Sequence, residues 1–527
     1  MSAPIETIEG GLSAAGATPS RSVRRLFLEG GISLGLAVAV QRLFAFVTTA
    51  LAARIGGVAV LGEYSLALST AGMVGAFVGT GVGTVALRYV GQYPRSTHAY
   101  RKVLTLVAVI TGVAALSSGL LLLFASRPLA RIALDNPKLS GALQFAAAAV
   151  IVLILFEALN GVLVALNDFR SLLWLSVVSG VVLVLSVPYA SHLGAKPMLV
   201  FYAAAFLTGI IVALVMGRKA IQPLRSEGGV EPKPPRAREV ILFGNTQQFN
   251  TVVISVASWW VILLVTRQDP TLHQMGFYFV GSQLRQIAGQ APTLASQLVY
   301  PALSRVSAIP EQHDRVLSTA TFFCAVLSFV PAGVVLIGMP WILKLYGLGY
   351  SGALITALIL VATAVLQLSH FPVANALMMI SLRAAALLNA IWSVALVLFA
   401  YLLIARYAAV GAALAWFLSQ LVSQAVLFCL MKRLGRLPAG TLTTWLLADF
   451  AVLSVTGLAV LRSLGPNTAI GISAAQTFAF IAFLYVFLRI AQHRGYLPQD
   501  TRALIMSAKS VPAICLNSLM SLRRAES

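Results

Sequence analysis

Acidic residues are scarce in this chain: 16 Asp and Glu stand against 37 Lys and Arg in 527 residues, for a formal net charge of +21. Charge of either sign is itself sparse, at 10% of residues against 59% hydrophobic, and the mean hydropathy is +0.89. Those values lie outside the range of ordinary soluble domains and indicate a polytopic membrane protein. The basic excess then calls for no nucleic acid, because cytoplasmic loops of membrane proteins carry extra Lys and Arg. Cysteine is also rare. Cys324, Cys429 and Cys515 lie far apart without CxxC or metal-ligand spacing, so no metal site or disulfide framework is expected. No Walker A pattern occurs, nor does any Ser/His/Asp set outside the apolar runs. No catalytic residue and no cofactor are expected, and the energy for any transport must come from a gradient, the membrane potential or the substrate's own concentration. The N-terminal stretch MSAPIETIEGGLSAAGATPS lacks the charged and apolar regions of a cleaved signal and reads as a cytoplasmic tail.

Long apolar runs are abundant. Segments long enough to span a bilayer are expected at 31–53, 63–86, 103–124, 142–166, 172–191 and 198–217, then at 241–265, 276–299, 317–339, 352–374, 384–405 and 410–431, and finally at 443–461 and 468–489. The expected organisation is a tail (1–30), a first six-helix bundle (31–217), a proline-rich cytoplasmic linker (218–240), a second six-helix bundle (241–431), two additional helices (432–490) and a basic tail (491–527). With the N-terminus inside, 26 of the 37 basic residues fall in cytoplasmic segments, nine in external ones, and Arg42 and Arg285 within the membrane. That asymmetry agrees with fourteen spans and two cytoplasmic termini. The external loops are all short, which excludes the large loop of a polysaccharide polymerase or ligase.

The stretch LAARIGGVAVLGEYSLALS has an echo in LLVTRQDPTLHQMGFYFVGS. An apolar run ends in Arg54 or Arg267, and Gly62-x-Tyr64 or Gly276-x-Tyr278 opens the next helix. Six helices per unit is an even number, so the two units would be parallel repeats about an axis along the membrane normal, the plan of an alternating-access transporter.

Those stretches, with VGTGVGTVALRYVGQ, QLVYPALSRV, LKLYGLGYSGA and ARYAAVGAALAWFLSQLVSQAVLF, resemble the Wzx-type polysaccharide flippase branch of the multidrug/oligosaccharidyl-lipid/polysaccharide exporter superfamily. The resemblance runs from about residue 31 to 490. It implies an all-α polytopic protein of two six-helix bundles in a V, plus two C-terminal helices. It also implies translocation of polyprenyl-diphosphate-linked oligosaccharides across the bacterial inner membrane for exopolysaccharide, capsule or O-antigen (lipopolysaccharide) synthesis, alongside membrane lipids and a polysaccharide polymerase and export machinery. The stretch RQDP at 267–270 departs from an LLG-type turn common in the family. Rival substrates within the superfamily are lipid II, and cationic drugs, for which this cationic interior is ill suited.

Arg42 lies roughly 16 Å from either end of its span, where an unpaired guanidinium is costly. It and Arg285 either hold the substrate's diphosphate, which planar guanidinium matches, or serve as structural partners of Glu157 or backbone carbonyls. Gln283, Gln286, Gln290 and Gln297 fall on one side of a helical wheel, as a cavity wall for sugar hydroxyls or as interhelical glue. Asn245, Gln247, Gln248 and Asn250 are expected near the inner mouth. Arg88 either attracts a lipid-linked phosphate or anchors its helix at the cytoplasmic face. Glu157 is an ion-coupling residue, a partner of Arg42, or a packing residue working through Asn160. His370, before Pro372, is a second ion-coupling residue or a satisfied packing histidine. Trp259, Trp260, Trp341 and Tyr346 are expected in the aromatic belt, and the C-terminal tail is either an interfacial segment or disordered.

Overall fold

In lipid every backbone N–H and C=O must find its partner inside the chain, and in the computed structural model the described residues are almost wholly helical. The structure describes residues 21–496 apart from 79, 94, 224–233, 307–309, 465–468 and 495. The side chains of Gln297 and of Asn245, Gln247, Gln248 and Asn250 lie outside the described set, as do both tails.

The elements in order are α1 (Arg21–Val78), α2 (Thr80–Gln92), α3 (His98–Pro128), α4 (Ser140–Ala165), α5 (Phe169–Leu193), α6 (Ala195–Ile221), α7 (Ala237–Gln268), α8 (His273–Val306), α9 (Pro310–Tyr346), α10 (Leu354–Ser369), α11 (Phe371–Ile380), α12 (Leu382–Arg433), α13 (Ala439–Leu464) and α14 (Ala469–His493). Eleven helices among the described residues are long and apolar enough to cross a membrane, so the protein is multi-pass. No strand occurs among those residues.

Local chemistry sets the helix ends. Thr97 accepts the Tyr100 N–H at 3.2 Å, Asp168 that of Ser171 at 3.2 Å, and Ser381 that of Ala384 at 3.2 Å, each satisfying an orphan donor of a first turn. In the expected gaps 54–62 and 406–409, α1 and α12 each consist of two helices meeting at a single sharp bend. Gly57 takes φ 80° and ψ 179° in α1, and Ala408 takes φ 45° and ψ −121° in α12. The first is an ordinary use of glycine; the second is strained for a residue with a Cβ.

Helices α1 to α6 pack on one another, as do α7 to α12, and α13 packs against α9, α10 and α14. The two sets meet where α1 crosses α7 and α8 and where α2 crosses α7. Glycine makes the α1–α8 approach possible. A Cβ on Gly62 would run into the Leu272 carbonyl, and one on Gly276 would lie 2.6 Å from the Val58 carbonyl oxygen, so the two Gly-x-Tyr motifs are packed against each other. Tyr64 then meets the ring of Tyr202 in α6, and Tyr278 accepts a hydrogen bond from the Trp416 indole in α12 at 2.8 Å.

The RQDP stretch works at this same end. Arg267 donates to the carbonyls of Ala133 (2.6 Å) and Ile132 (2.8 Å), Gln268 to that of Ala405 (3.1 Å), and Pro270 accepts from Asn136 (3.4 Å). Asp269 caps α8 by accepting the N–H groups of Thr271 and Gln274. At the opposite end Val85, Ala86 and Tyr89 of α2 bury Val240 of α7, with the Phe243 ring against Tyr89.

Of the four residues expected in the aromatic belt, Trp341 and Trp260 are exposed and the other two are buried. Tyr346 is buried against Phe46 and Tyr350, and Trp259 is buried and donates to Thr70 of α1 at 3.1 Å. Both fill interior gaps, which their large apolar rings do as well as they line an interface.

Candidate functional site

The span around Arg42 is helical because it is rich in Ala, Leu and Phe without a proline. Its guanidinium reaches across the seam between the two sets of helices. Nε donates to Gln290 Oε1 at 2.8 Å and Nη1 to Gln286 Oε1 at 2.8 Å, both on α8. Gln286 and Gln290 are four residues apart and so share a face. Their carbonyl oxygens satisfy two of the five guanidinium donors and leave Nη2 without a partner among the described residues.

Beside this contact is a cavity of about 220 Å³, lined by Gln41, Arg42, Thr48 and Tyr64 of α1 and by residues of α4, α5, α6 and α8, Gln283 among them. The hydroxyl of Thr48 is buried without a hydrogen-bond partner, so part of this wall offers an unused polar atom. Glu157 of α4 is exposed and lies beside Gly83 of α2. It is within electrostatic range of Arg42, but no ion pair joins the two among the described residues.

The other sequence-flagged residues fall elsewhere. Arg285 is turned away from the seam: its guanidinium lies 3.9 Å from the centre of the Trp416 ring and donates to Gln367 of α10 at 3.5 Å. Arg88 is exposed at the α2–α7 junction, stacked 4.2 Å from the Phe243 ring, and does not line the cavity. His370 is buried in the break between α10 and α11. Arg42, Gln283, Gln286 and Gln290 are therefore brought together, with Glu157 nearby, while Arg285, Arg88 and His370 are not part of that group.

One buried acid escaped the sequence reading. Asp449 of α13 is half-buried and accepts a hydrogen bond from Ser369 at 3.3 Å. It is the lone acid in the apolar run 443–461, the same signal that singles out Glu157.

The geometry defines a multi-pass helical membrane protein. Its fold is that of a lipid II flippase, MurJ, solved in an inward closed conformation (TM-score 0.63, 16% identity, 86% of this chain and 98% of that one). It is also that of a MOP-superfamily transporter from Pyrococcus furiosus (TM-score 0.55, 12% identity, 78% and 96%) and of a multidrug resistance MATE family transporter in its inward-facing conformation (TM-score 0.55, 12% identity, 77% and 98%). Residues 27–307 match the polysaccharide biosynthesis protein family, and the chain belongs to it. No curated protein matches the sequence.

Proposed function

We propose that this protein flips a polyprenyl-diphosphate-linked oligosaccharide across the bacterial inner membrane, for exopolysaccharide, capsule or O-antigen assembly, and that Arg42 with Gln286 and Gln290 receives the diphosphate. The observation that carries this reading is the Arg42 bridge. A guanidinium deep in an apolar helix, held by two neutral amides from the opposing set of helices, keeps its positive charge uncompensated and ready for an anion. The glutamines orient it without neutralising it, and sugar hydroxyls have Gln283 and Thr48 in the adjoining cavity. Arg285 contributes positive charge from the wall of the second bundle, and Arg88 meets incoming headgroups at the cytoplasmic face.

The fourteen-span, two-repeat plan goes with this proposal. Counting α1 and α12 twice for their bends and adding the polar α8 to the eleven apolar helices gives that number, and the matched placements of Tyr64 on α6 and Tyr278 on α12 support the repeat. A cavity of about 220 Å³ is below the roughly 300–1,000 Å³ of ordinary ligand pockets. The substrate then enters when the α1–α8 seam parts. The direction of transport, both termini in the cytoplasm, partnership with a polymerase and export machinery, and the absence of enzymatic chemistry all belong to the same reading.

The test replaces the gene with wild type or Arg42→Ala and scores surface polysaccharide and lipid-linked repeat units. Loss of polysaccharide with accumulation of repeat units on the cytoplasmic leaflet is expected for the inserted variant. Normal polysaccharide in the deletion strain, with drug sensitivity or lysis instead, contradicts the substrate class.

A further inference from the structure

The second bundle holds a polar cluster that the proposed diphosphate site does not use. It is built around the break between α10 and α11, where Pro372 in the first turn of α11 cannot donate to the preceding turn and frees backbone carbonyls. His370 sits in that break. Its Nδ1 bonds to the Leu366 carbonyl at 2.6 Å and its Nε2 to the Gln420 amide at 3.2 Å, so both ring nitrogens have partners in the neutral form. Gln424 donates to the same Leu366 carbonyl at 2.7 Å and stands 3.4 Å from His370 Nδ1. The Trp445 ring of α13 stacks on the imidazole with centres 5.3 Å apart. One turn along the same face of α13, Asp449 meets Ser369 and the Gln424 amide.

Asp449 is about 15 Å from the start of its helix. The charged groups of the elements packed around the cluster are toward the helix ends: Glu311, Asp314, Arg315 and His313 of α9, Arg489, His493 and Arg494 at the end of α14, and Arg383, Lys432 and Arg433 of α12 at one end, and Lys344 of α9, Arg406 of α12 and Arg462 of α13 at the other; Arg285 of α8 is engaged by Gln367 and the Trp416 ring. Between those ends, His370, Cys324 of α9 and Tyr485 of α14 are the titratable neighbours among the described residues, and none is a cation in the observed arrangement. A carboxylate so placed, with no cation beside it, is a functional group by default rather than a structural one.

We infer that Asp449 and His370, joined through Ser369 and Gln424, form a proton-binding site within the second bundle. The step is a simple one. Asp449 takes a proton from the aqueous side, forming one O–H bond. Ser369 then turns its own hydrogen from Asp449 to the Leu366 carbonyl, which it already approaches at 3.4 Å, and accepts the new Asp449 O–H. No other bond changes. The ligand is a proton and not a metal ion because the polar groups aimed into the cluster are chiefly N–H donors, from Gln420, Gln424 and the Trp445 indole, which faces Asp449, whereas a hard cation needs a cage of oxygens.

The site is wired to α8, the helix that carries Gln286 and Gln290. Gln367, one turn before the break, accepts from Arg285, and Arg285 lies on Trp416, one turn before Gln420 on α12. Loading the cluster alters the break that positions Gln367, so Arg285 is a positioning residue between the proton and the anion sites. This coupling role rests on the transport reading above; the proton site itself does not.

The experiment is pH-difference infrared spectroscopy between pH 5 and 8.5 on the full chain in lipid nanodiscs, without any lipid-linked sugar, in a Glu157→Gln background. One carboxylic acid C=O band is expected to appear on acidification, to vanish in Asp449→Asn, to persist with a displaced midpoint in Asp449→Glu, and to change frequency in Ser369→Ala. An unchanged spectrum in Asp449→Asn overturns the site, as does a band removed by sodium at constant pH. In proteoliposomes, stimulation of flipping by an imposed pH gradient is expected in wild type and lost in Asp449→Asn. Wild type that shows the band but moves no lipid-linked oligosaccharide overturns the transport reading and leaves the proton site standing.

Discussion

Arg42 and Arg285 are the same residue type, each well inside a long helix, yet the structure holds them differently. Arg42 crosses the seam and is held by two amide oxygens of α8 beside the cavity. Arg285 is folded back onto Trp416 and leans on Gln367, inside the second bundle. An aromatic face is a softer partner than a carboxylate and keeps a cation in place without cancelling it. The difference teaches that depth alone does not assign a role to an intramembrane arginine; its partners do.

The sharpest way to break this comparison is to exchange the losses. Arg42→Ala removes the guanidinium from the seam and is expected to cost about 2 kcal/mol or more of substrate binding, a factor of about 30, read as accumulation of lipid-linked repeat units. Arg285→Ala is expected to weaken binding of a polyprenyl diphosphate much less than Arg42→Ala does while abolishing the response of flipping to pH. Equal binding defects in the two variants would erase the distinction.

A second prediction concerns the seam itself. Gly62→Val or Gly276→Val places a side chain against backbone of the opposing helix, an overpacking expected to cost about 1–3 kcal/mol, and holds that end of the α1–α8 contact apart. Faster labelling of an engineered cysteine at Ala133 reads the opening. Arg267→Ala, which releases two carbonyls of the first bundle, acts in the same direction by about 1 kcal/mol or less, because this residue is exposed.

Much of this arrangement was legible in the sequence. The hundred-degree spacing of Gln283, Gln286 and Gln290 announces a polar face on α8, and a single charge in a long apolar run announces Arg42. That the face and the charge meet was not legible, because they are 244 and 248 residues apart and periodicity carries no information on which helices adjoin. RQDP read as a departure from a family pattern, and its role as a latch depends on carbonyls of the first bundle that no local signal marks. Asp449 was overlooked although its signal was present, a lone acid in an apolar run. The breaks at Gly57 and Ala408 fall in the expected gaps 54–62 and 406–409, but hydropathy marks apolar length and not direction, so it did not show that each is a single-residue bend.

Two smaller effects refine the picture. Ala408 holds φ 45° and ψ −121°, a conformation natural only to glycine, so Ala408→Gly is expected to raise stability by about 1 kcal/mol, seen as a higher melting temperature in detergent. Partial burial opposes charge on Asp269, but hydrogen bonds from Thr271 and Gln274 and the nearby His273 outweigh it and hold the carboxyl below its ordinary value. A depressed folded value means that the stabilisation is present above the unfolded value near 4 and fades as pH falls through the folded one. Wild type should therefore lose stability below about pH 4 more steeply than Asp269→Asn.

The central claim is that Arg42 recognises a diphosphate anion, and equilibrium binding to the purified protein in nanodiscs tests it most directly. A polyprenyl diphosphate is expected to bind wild type at least about 30-fold more tightly than Arg42→Ala, with Arg42→Lys in between because a lysine keeps the charge but not the planar fork. Equal affinity of wild type and Arg42→Ala would contradict the account and leave Arg42 as a strut between α1 and α8.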